Sequence, residues 1–184
     1  MRLSVLSELI SSDSIVSVEE GLGSFQALLT EEMPPGCSIL IKGLSEHSFI
    51  LDLDVFTKIS DSEIGTSMFA GTKGERKRAD FIIIDPAKKV IVFIELKCGR
   101  NKNCDSDLIN NQLLGAMCLF GYIKCVLKEF WQLEDFLEDY HQKKICIVAT
   151  TERRSTAVGI GNVDCLEFKK VYAKEEVHFS KLIH

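Results

Sequence analysis

The sequence lacks the features of membrane-spanning, exported and repetitive proteins. No apolar run approaches the roughly 20 residues that a transmembrane helix needs. The N-terminal stretch 1–13 has one Arg and alternating Leu and Ser, without the apolar core and cleavage site of a signal peptide. No repeat, low-complexity tract or Pro/Ser-rich linker interrupts the 184 residues. We therefore expect a single cytoplasmic domain over 1–184 and no membrane partner.

The metal-ligand patterns of Cys and His are also missing. The seven cysteines match no common zinc or iron–sulfur spacing, and the four histidines form no pair at ligand spacing. Because the cysteine count is odd and no export signal precedes it, we expect reduced thiols rather than a disulfide framework. Cys118, Cys125 and Cys146 lie in apolar runs and are predicted to be core residues.

The charge is acidic overall but unevenly distributed. A net charge of −5 does not favour non-specific binding to polyanions, and 27% charged with 46% hydrophobic residues is typical of a globular protein. Acidic residues are frequent between Glu129 and Asp139. The basic residues predicted to contact the phosphates of a nucleic acid, with a solvated loop as the alternative, are Lys73, Arg76, Lys77, Arg78, Arg100 and Lys102.

Hydrophobic periodicity predicts a mixed order of helices and strands. The spacing of Val18, Leu22, Phe25 and Leu29 predicts a helix over 17–32. The other predicted helices cover 2–11 and, from an N-cap at Ser106, the residues to about 122, with further helix to about 142. Strands are predicted over 38–43, 48–57, 145–150 and 164–172, and a loop over 60–78. In the strand over 48–57, Asp52 and Asp54 are predicted to lie on the wet face, towards solvent.

Two apolar, β-branched runs within 80–97 predict a β-hairpin. Both runs are almost continuously apolar, so we expect both faces of the hairpin to be covered. Pro86 has a fixed negative φ and cannot occupy a type I′ turn, where both central residues need positive φ. We therefore predict a four-residue loop over 86–89, flanked by Asp85 and Val90.

Three polar side chains stand at the open end of this apolar hairpin. In the predicted register Asp80 lies opposite Glu95, and Lys97 projects from the same face because strand side chains alternate. Two facing carboxylates repel each other on a partly buried face, and a bound Mg²⁺ (or Mn²⁺) removes that repulsion. An ammonium group beside such a cation can orient water for attack on a phosphate. The alternative is a solvated sheet edge with an ordinary Glu–Lys pair.

Asp80, the hairpin and Glu95-Leu96-Lys97 resemble the motif of the PD-(D/E)xK nuclease superfamily, whose fold is called restriction-endonuclease-like. The resemblance covers about 17–150 and implies an α/β sandwich with a mixed central β-sheet flanked by helices. It implies that Asp80 and Glu95 are metal ligands, with the Leu96 carbonyl as a further ligand, and that Lys97 is the catalytic lysine. Ala79 stands where the family motif has Pro.

The resemblance extends less firmly to two other positions. Some members of the superfamily place a Gln on the helix after the hairpin, and Gln112 fits this role. A surface polar residue is an equal alternative, because Ala116 stands where those members have Tyr. Some members also add an acidic residue from the first helix, for which Glu20 and Glu32 are the candidates.

The resemblance implies a Mg²⁺-dependent DNA endonuclease of restriction, anti-phage defence or repair. Such small nucleases act as homodimers or with a partner protein that supplies targeting. Two alternatives stay open: a catalytically inactive module of the same fold that binds nucleic acid or assembles a complex, and an RNA nuclease. The presence of Asp80, Glu95 and Lys97 together argues against the inactive module, since a scaffold does not need all three. The sequence has no stacking aromatic motif that would favour the RNA nuclease.

Overall fold

The computed structural model describes residues 3–32, 36–59, 72–98, 105–150 and 168–184. Strands dominate these segments, and one long helix lies between two of them. In chain order the elements are α1 Ser4–Leu9, a 3₁₀ turn Ser12–Ser14, β1 Glu19–Glu20, β2 Phe25–Glu31, β3 Cys37–Leu44, β4 Phe49–Asp52, α2 Leu53–Ile59, β5 Phe81–Asp85, β6 Val90–Cys98, α3 Ser106–Trp131, β7 His141–Ala149, β8 Lys169–Ala173, β9 Glu176–His178 and α4 Ser180–Ile183.

The described strands form two mixed sheets. The larger sheet has the order β4-β5-β6-β7-β8, in which β4, β5 and β6 make an antiparallel meander and β7 and β8 run parallel to β6. The smaller sheet has the order β1-β2-β3-β9, with β9 parallel to β3. Because β6 and β7 are parallel neighbours, the chain needs a crossover between them, and α3 lies in that connection.

The larger sheet is buried on both faces, as its continuous apolar runs predict. On one face Ile82 and Phe93 belong to a core shared with α1 and α3, where the Phe93 and Phe120 rings meet edge to face. On the other face Ile83 and Val92 pack in a core with the smaller sheet. The α/β class is therefore confirmed, but helices cover one face of the central sheet and a second sheet covers the other.

The predicted helix over 17–32 is wrong, since these residues contain β1 and β2. In β2 the buried Ala27 and Leu29 alternate with the exposed Leu28, a period of two that outweighs the accidental helical spacing. Gly23 has a φ of +77°, a conformation that interrupts a helix. Leu22, the second residue of that spacing, is fully exposed.

Several element boundaries also differ from the prediction. The strand over 48–57 ends at Asp52, where α2 begins, and the Asp52 carboxylate accepts from the Val55 N–H at 2.9 Å. The N-cap of α3 is Asp105 rather than Ser106, because its side chain accepts from the backbone N–H of Asp107 and Leu108. Helix α3 continues to Trp131, and turns rather than helix follow it. Of the predicted loop over 60–78, 60–71 lies outside the described residues.

The cysteines are only partly as expected. Cys146 is buried, but Cys118 and Cys125 are exposed, because both lie on the outer side of α3. Cys37 and Cys98 form a disulfide, so the expectation of reduced thiols is wrong for this pair. No local pattern in the sequence indicates this pair, since the two residues are 61 positions apart and only the packing of the two sheets brings them together.

Candidate functional site

The hairpin register that the sequence predicts is confirmed. Asp85 pairs with Val90 and Phe81 with Ile94, which leaves the predicted four-residue loop between β5 and β6. Asp85 stabilises this loop, because its buried carboxylate accepts from the Lys88 N–H at 2.9 Å and pairs with the Lys88 ammonium at 2.9 Å.

The Asp80 carboxyl is held at the mouth of the hairpin by the backbone. The Asp80 N–H donates to the carbonyl of Ile94, the register partner of Phe81, at 3.0 Å, and so ties the residue before β5 to β6. The Leu96 N–H donates to Asp80 Oδ2 at 2.5 Å. The residue is only 7% exposed. Burial, followed by repulsion from the Glu95 carboxylate, raises the pKa of Asp80 to about 8.

Glu95 is the more deeply buried acid, with 1% of its surface exposed. Its Oε1 accepts a hydrogen bond from the Lys97 ammonium. Its Oε2 has no hydrogen-bond partner among the described residues, although the Gln112 amide is close enough to lower the carboxyl pKa a little. Burial raises the pKa of Glu95 to about 7 against the opposing attraction of Lys97. An incompletely satisfied, buried carboxylate is costly without a ligand.

Lys97 connects the hairpin to the helix. Its ammonium donates to Glu95 Oε1 and to Gln112 Oε1, the latter at 3.2 Å. Burial lowers the pKa of Lys97, but the charge of Glu95 and the hydrogen bond to it outweigh that effect and raise it overall. Lys97 therefore stays protonated, and α3 brings Gln112 to its ammonium.

Two further acids join the site and were not predicted for it. One carboxylate oxygen each of Glu31, Asp54 and Asp80 lies within 4.8 Å of the others. Glu31 ends β2 and Asp54 is in the first turn of α2, so the wet-face interpretation of Asp54 is wrong. Repulsion from both contributes to the raised pKa of Asp80. The three acids line a cleft of about 340 Å³ together with Asp52 and Glu32.

The first-helix expectation is replaced by this arrangement. No helix covers 17–32 in the described chain, and the acid that approaches Asp80 is Glu31 from a strand. Glu32 is exposed at the rim of the cleft, and Glu20 is exposed in β1. The sequence did contain a local signal for Asp54, because acidic residues just past the end of an apolar strand often point into a functional site. No local signal could bring Glu31 to Asp80.

The basic segment before Asp80 packs against α3 through a glycine. A Cβ atom at Gly115 would lie 1.7 Å from the Lys77 carbonyl oxygen, so only glycine allows this approach. Lys73, Arg76 and Lys77 are exposed and Arg78 is half-buried. Four positively charged residues thus stand shortly before Asp80 in the sequence.

The other predicted site residues divide into two groups. Leu96 turns its side chain into the core on the opposite face and offers the site its backbone, whose N–H binds Asp80. Arg100 and Lys102 lie outside the described residues.

The donor set of the cleft fits a hard divalent cation. Every acidic group in it presents carboxylate oxygen, which Mg²⁺ and Mn²⁺ prefer over the imidazole and thiolate ligands typical of zinc. Burial is the main cause of the raised pKa of Asp80 and Glu95, and nearby acids add to it. Glu31, Asp54, Asp80 and Glu95 with the single ammonium of Lys97 give the site an excess of negative charge. A divalent cation would neutralise this excess.

Comparison of the chain with protein-family models, curated proteins and solved structures returned no match. Among the described residues, no helix combines the length and the apolar character needed to cross a membrane. The geometry of the cleft is therefore the basis for a functional proposal.

Proposed function

We propose that this chain is a Mg²⁺-dependent nuclease of restriction-endonuclease-like fold that hydrolyses phosphodiester bonds, with DNA as its substrate. The observation that carries the proposal is that two buried carboxyls, Asp80 and Glu95, lie close enough for Glu95 to raise the pKa of Asp80, with Lys97 hydrogen-bonded to Glu95. The element order supports it, because the meander β4-β5-β6 is followed by α3 and by a further strand, β7, of the same mixed sheet.

Asp80 and Glu95 would hold the cation, with Glu31 and Asp54 close enough to add oxygen ligands to it or to bind a second ion. When bound, a divalent cation supplies an activated water and stabilises the charge of the phosphate. The chain's own contribution is to keep the carboxyls in place. The Leu96 N–H fixes Asp80, and the apolar core around β5 and β6 fixes the strands that carry both acids.

Lys97 is the residue that acts on the substrate. Its protonated ammonium can donate to the attacking water or to a non-bridging oxygen of the scissile phosphate, where negative charge increases during attack. Gln112 Oε1 orients that ammonium from α3. Lys97 thus stays directed into the site while Glu95 binds a cation instead.

The basic segment supplies the second part of the proposal, which is contact with the substrate backbone. Lys73, Arg76, Lys77 and Arg78 directly precede Asp80, and α3 holds their backbone. Phosphate contacts from this segment would position a strand across the cleft without reading its sequence. Endonucleolytic cleavage in anti-phage defence, restriction or repair, by a homodimer or with a targeting partner, is the role we propose for such an enzyme.

Substituting Lys97 tests the proposal most directly. We expect Lys97→Ala to reduce cleavage of supercoiled plasmid in Mg²⁺ or Mn²⁺ by about a hundredfold or more, on the scale of removing one preorganised stabilising group. Lys124→Ala is the matched control, since Lys124 pairs with Glu138 at the surface of α3. Equal cleavage by wild type and Lys97→Ala would refute the mechanism.

Two further measurements separate the alternatives. Titration calorimetry with Mg²⁺ should show binding to the wild type and weaker binding to Glu95→Ala, whereas a wild type that binds no cation would indicate the inactive module. Parallel digests of single- and double-stranded DNA and RNA decide the substrate. Cleavage of RNA alone would replace DNA in the proposal.

A further inference from the structure

The Cys37–Cys98 disulfide joins the two sheets beside the proposed active site. Cys37 is the first residue of β3 and Cys98 the last of β6, and their Cα atoms are 5.6 Å apart. Cys37 is also the register partner of Glu31 across the β2–β3 ladder. Cys98 directly follows Lys97 in the sequence. The bond therefore connects the strand pair that carries Glu31 to the strand that carries Glu95 and Lys97.

The disulfide lies at the end of the ladder that carries Glu31. Glu31 is the terminal residue of β2, and the described β2–β3 ladder ends at its pairing with Cys37. Its carboxylate lies among the carboxylates of Asp54 and Asp80, and like charges at this distance repel. Repulsion acts to push the end of β2 away from β5. A covalent bond at the same end of the ladder opposes that movement.

We propose that the Cys37–Cys98 disulfide is a positioning element that holds Glu31 in the metal site, so that opening it by a thiol reductant weakens cation binding and slows cleavage. The inference rests on the proposed function. Neither cysteine touches the reacting atoms. In the reaction a dithiol gives two electrons and two protons to the S–S bond, which yields the two cysteine thiols and the cyclic disulfide of the reductant.

The affinity for Mg²⁺, measured by calorimetry, tests this positioning. We expect reduction by a phosphine, which becomes the phosphine oxide with one oxygen from water, to weaken Mg²⁺ binding by about tenfold, as loss of a supporting contact does at other metal sites. The Cys37→Ala/Cys98→Ala variant should show the same loss without reductant. In Glu31→Gln, reduction should change the affinity by less than about twofold, because the group to be positioned is already gone.

Controls separate positioning from general destabilisation. Cys118→Ser/Cys125→Ser removes the two exposed thiols and should leave the response to reductant unchanged. Hydrogen exchange at Thr30, Glu31 and Ser38 should accelerate on reduction, while exchange in the β5–β6 hairpin should not. This measurement needs no activity, so it shows whether the bond positions the end of β2 separately from whether the chain cuts nucleic acid.

Three results would overturn the inference. The first is free thiols at both positions in the natively purified protein, found by peptide mass mapping. The second is Mg²⁺ affinity and cleavage that reduction leaves unchanged in a wild type that does cut. The third is an equal loss of affinity in the wild type and in Glu31→Gln, which would indicate a structural effect unrelated to Glu31.

Discussion

At the residue scale, the site is defined by two carboxyls with raised pKa values. A raised pKa favours the protonated form, whereas the proposed cation binding needs the ionised form. Burial and then repulsion from Glu95 raise the pKa of Asp80 to about 8, and burial raises that of Glu95 to about 7. Cation binding must therefore displace protons near neutral pH, and affinity should rise as the pH increases through this range. Asp85, a few residues along the same strand, is equally buried but has a lowered pKa because Lys88 neutralises it.

The raised pKa values predict how the stability of the metal-free protein depends on pH. The ordinary values, 3.8 for Asp80 and 4.5 for Glu95, apply in the unfolded chain. Between these and the folded values the native state binds more protons, so the free energy of unfolding should fall as the pH rises from about 4 to about 8. Urea denaturation with a chelator across this range measures the slope, and added Mg²⁺ should reverse it.

Asp80→Asn removes one of the two repelling charges and keeps the shape of the side chain. At pH 8 we expect it to stabilise the metal-free protein by about 1–4 kcal/mol, as replacing buried charges often does. Asp85→Asn is the matched control, because its carboxylate is paired. That substitution should destabilise by about 1–3 kcal/mol. Destabilisation by both would show that Asp80 is a satisfied structural residue.

At the scale of elements, helix α3 links the basic segment 73–78 to Lys97, the proposed catalytic lysine. Gln112 contacts Lys97, and one turn later Gly115 admits the Lys77 carbonyl. A single helix face thus sets both the direction of the ammonium and the place of the positive charges. The place of the positive charges is set by backbone packing at Gly115 rather than by a side-chain contact.

Two glycines of α3 provide a test of this contact. Gly115→Ala should destabilise the protein by about 1–3 kcal/mol, since the added methyl group collides with rigid backbone, and it should weaken binding of DNA. Gly121→Ala meets nothing within 4 Å and should stabilise α3 by up to about 1 kcal/mol. Thermal unfolding and DNA titration measure both effects. Equal stability changes would mean that the segment before Asp80 does not rest on α3.

The sequence could predict what depends on neighbours along the chain. The hairpin register followed from the fixed φ of Pro86 and from strand parity, and both are local properties. The prediction of a helix over 17–32 was wrong because four apolar residues fit a helical period by accident. Burial against the larger sheet stabilises these residues as the strand β2 instead. Glu31 and the Cys37–Cys98 bond depend on contact between two sheets, which no local pattern encodes.

At the scale of the whole molecule, the proposed function requires an acidic protein to bind an acidic polymer through one local patch. The net charge of −5 opposes association, and the four cations of 73–78 favour it. The number of phosphates neutralised is therefore small. The salt dependence of binding should be correspondingly shallow.

Binding isotherms over a range of salt concentrations measure this number. If the four basic residues supply the contacts, log K should fall against log salt with a slope of about −3 to −4, from roughly −0.9 per phosphate. In a Lys97→Ala background, which prevents cleavage, Arg76→Ala should reduce the slope by about 1. Lys128→Ala, which removes an ion pair with Glu134, should not change the slope. A slope unaffected by Arg76 would place the substrate elsewhere.

The distribution of the acids along the chain has a consequence for synthesis of the protein. Glu31, Asp54, Asp80 and Glu95 come from β2, α2, the start of β5 and β6, and they meet only when both sheets are assembled. A nascent chain emerging from the ribosome holds these groups far apart. The proposed activity would therefore be switched on by completed folding, and unfinished copies would be harmless to the genome of the cell that makes them.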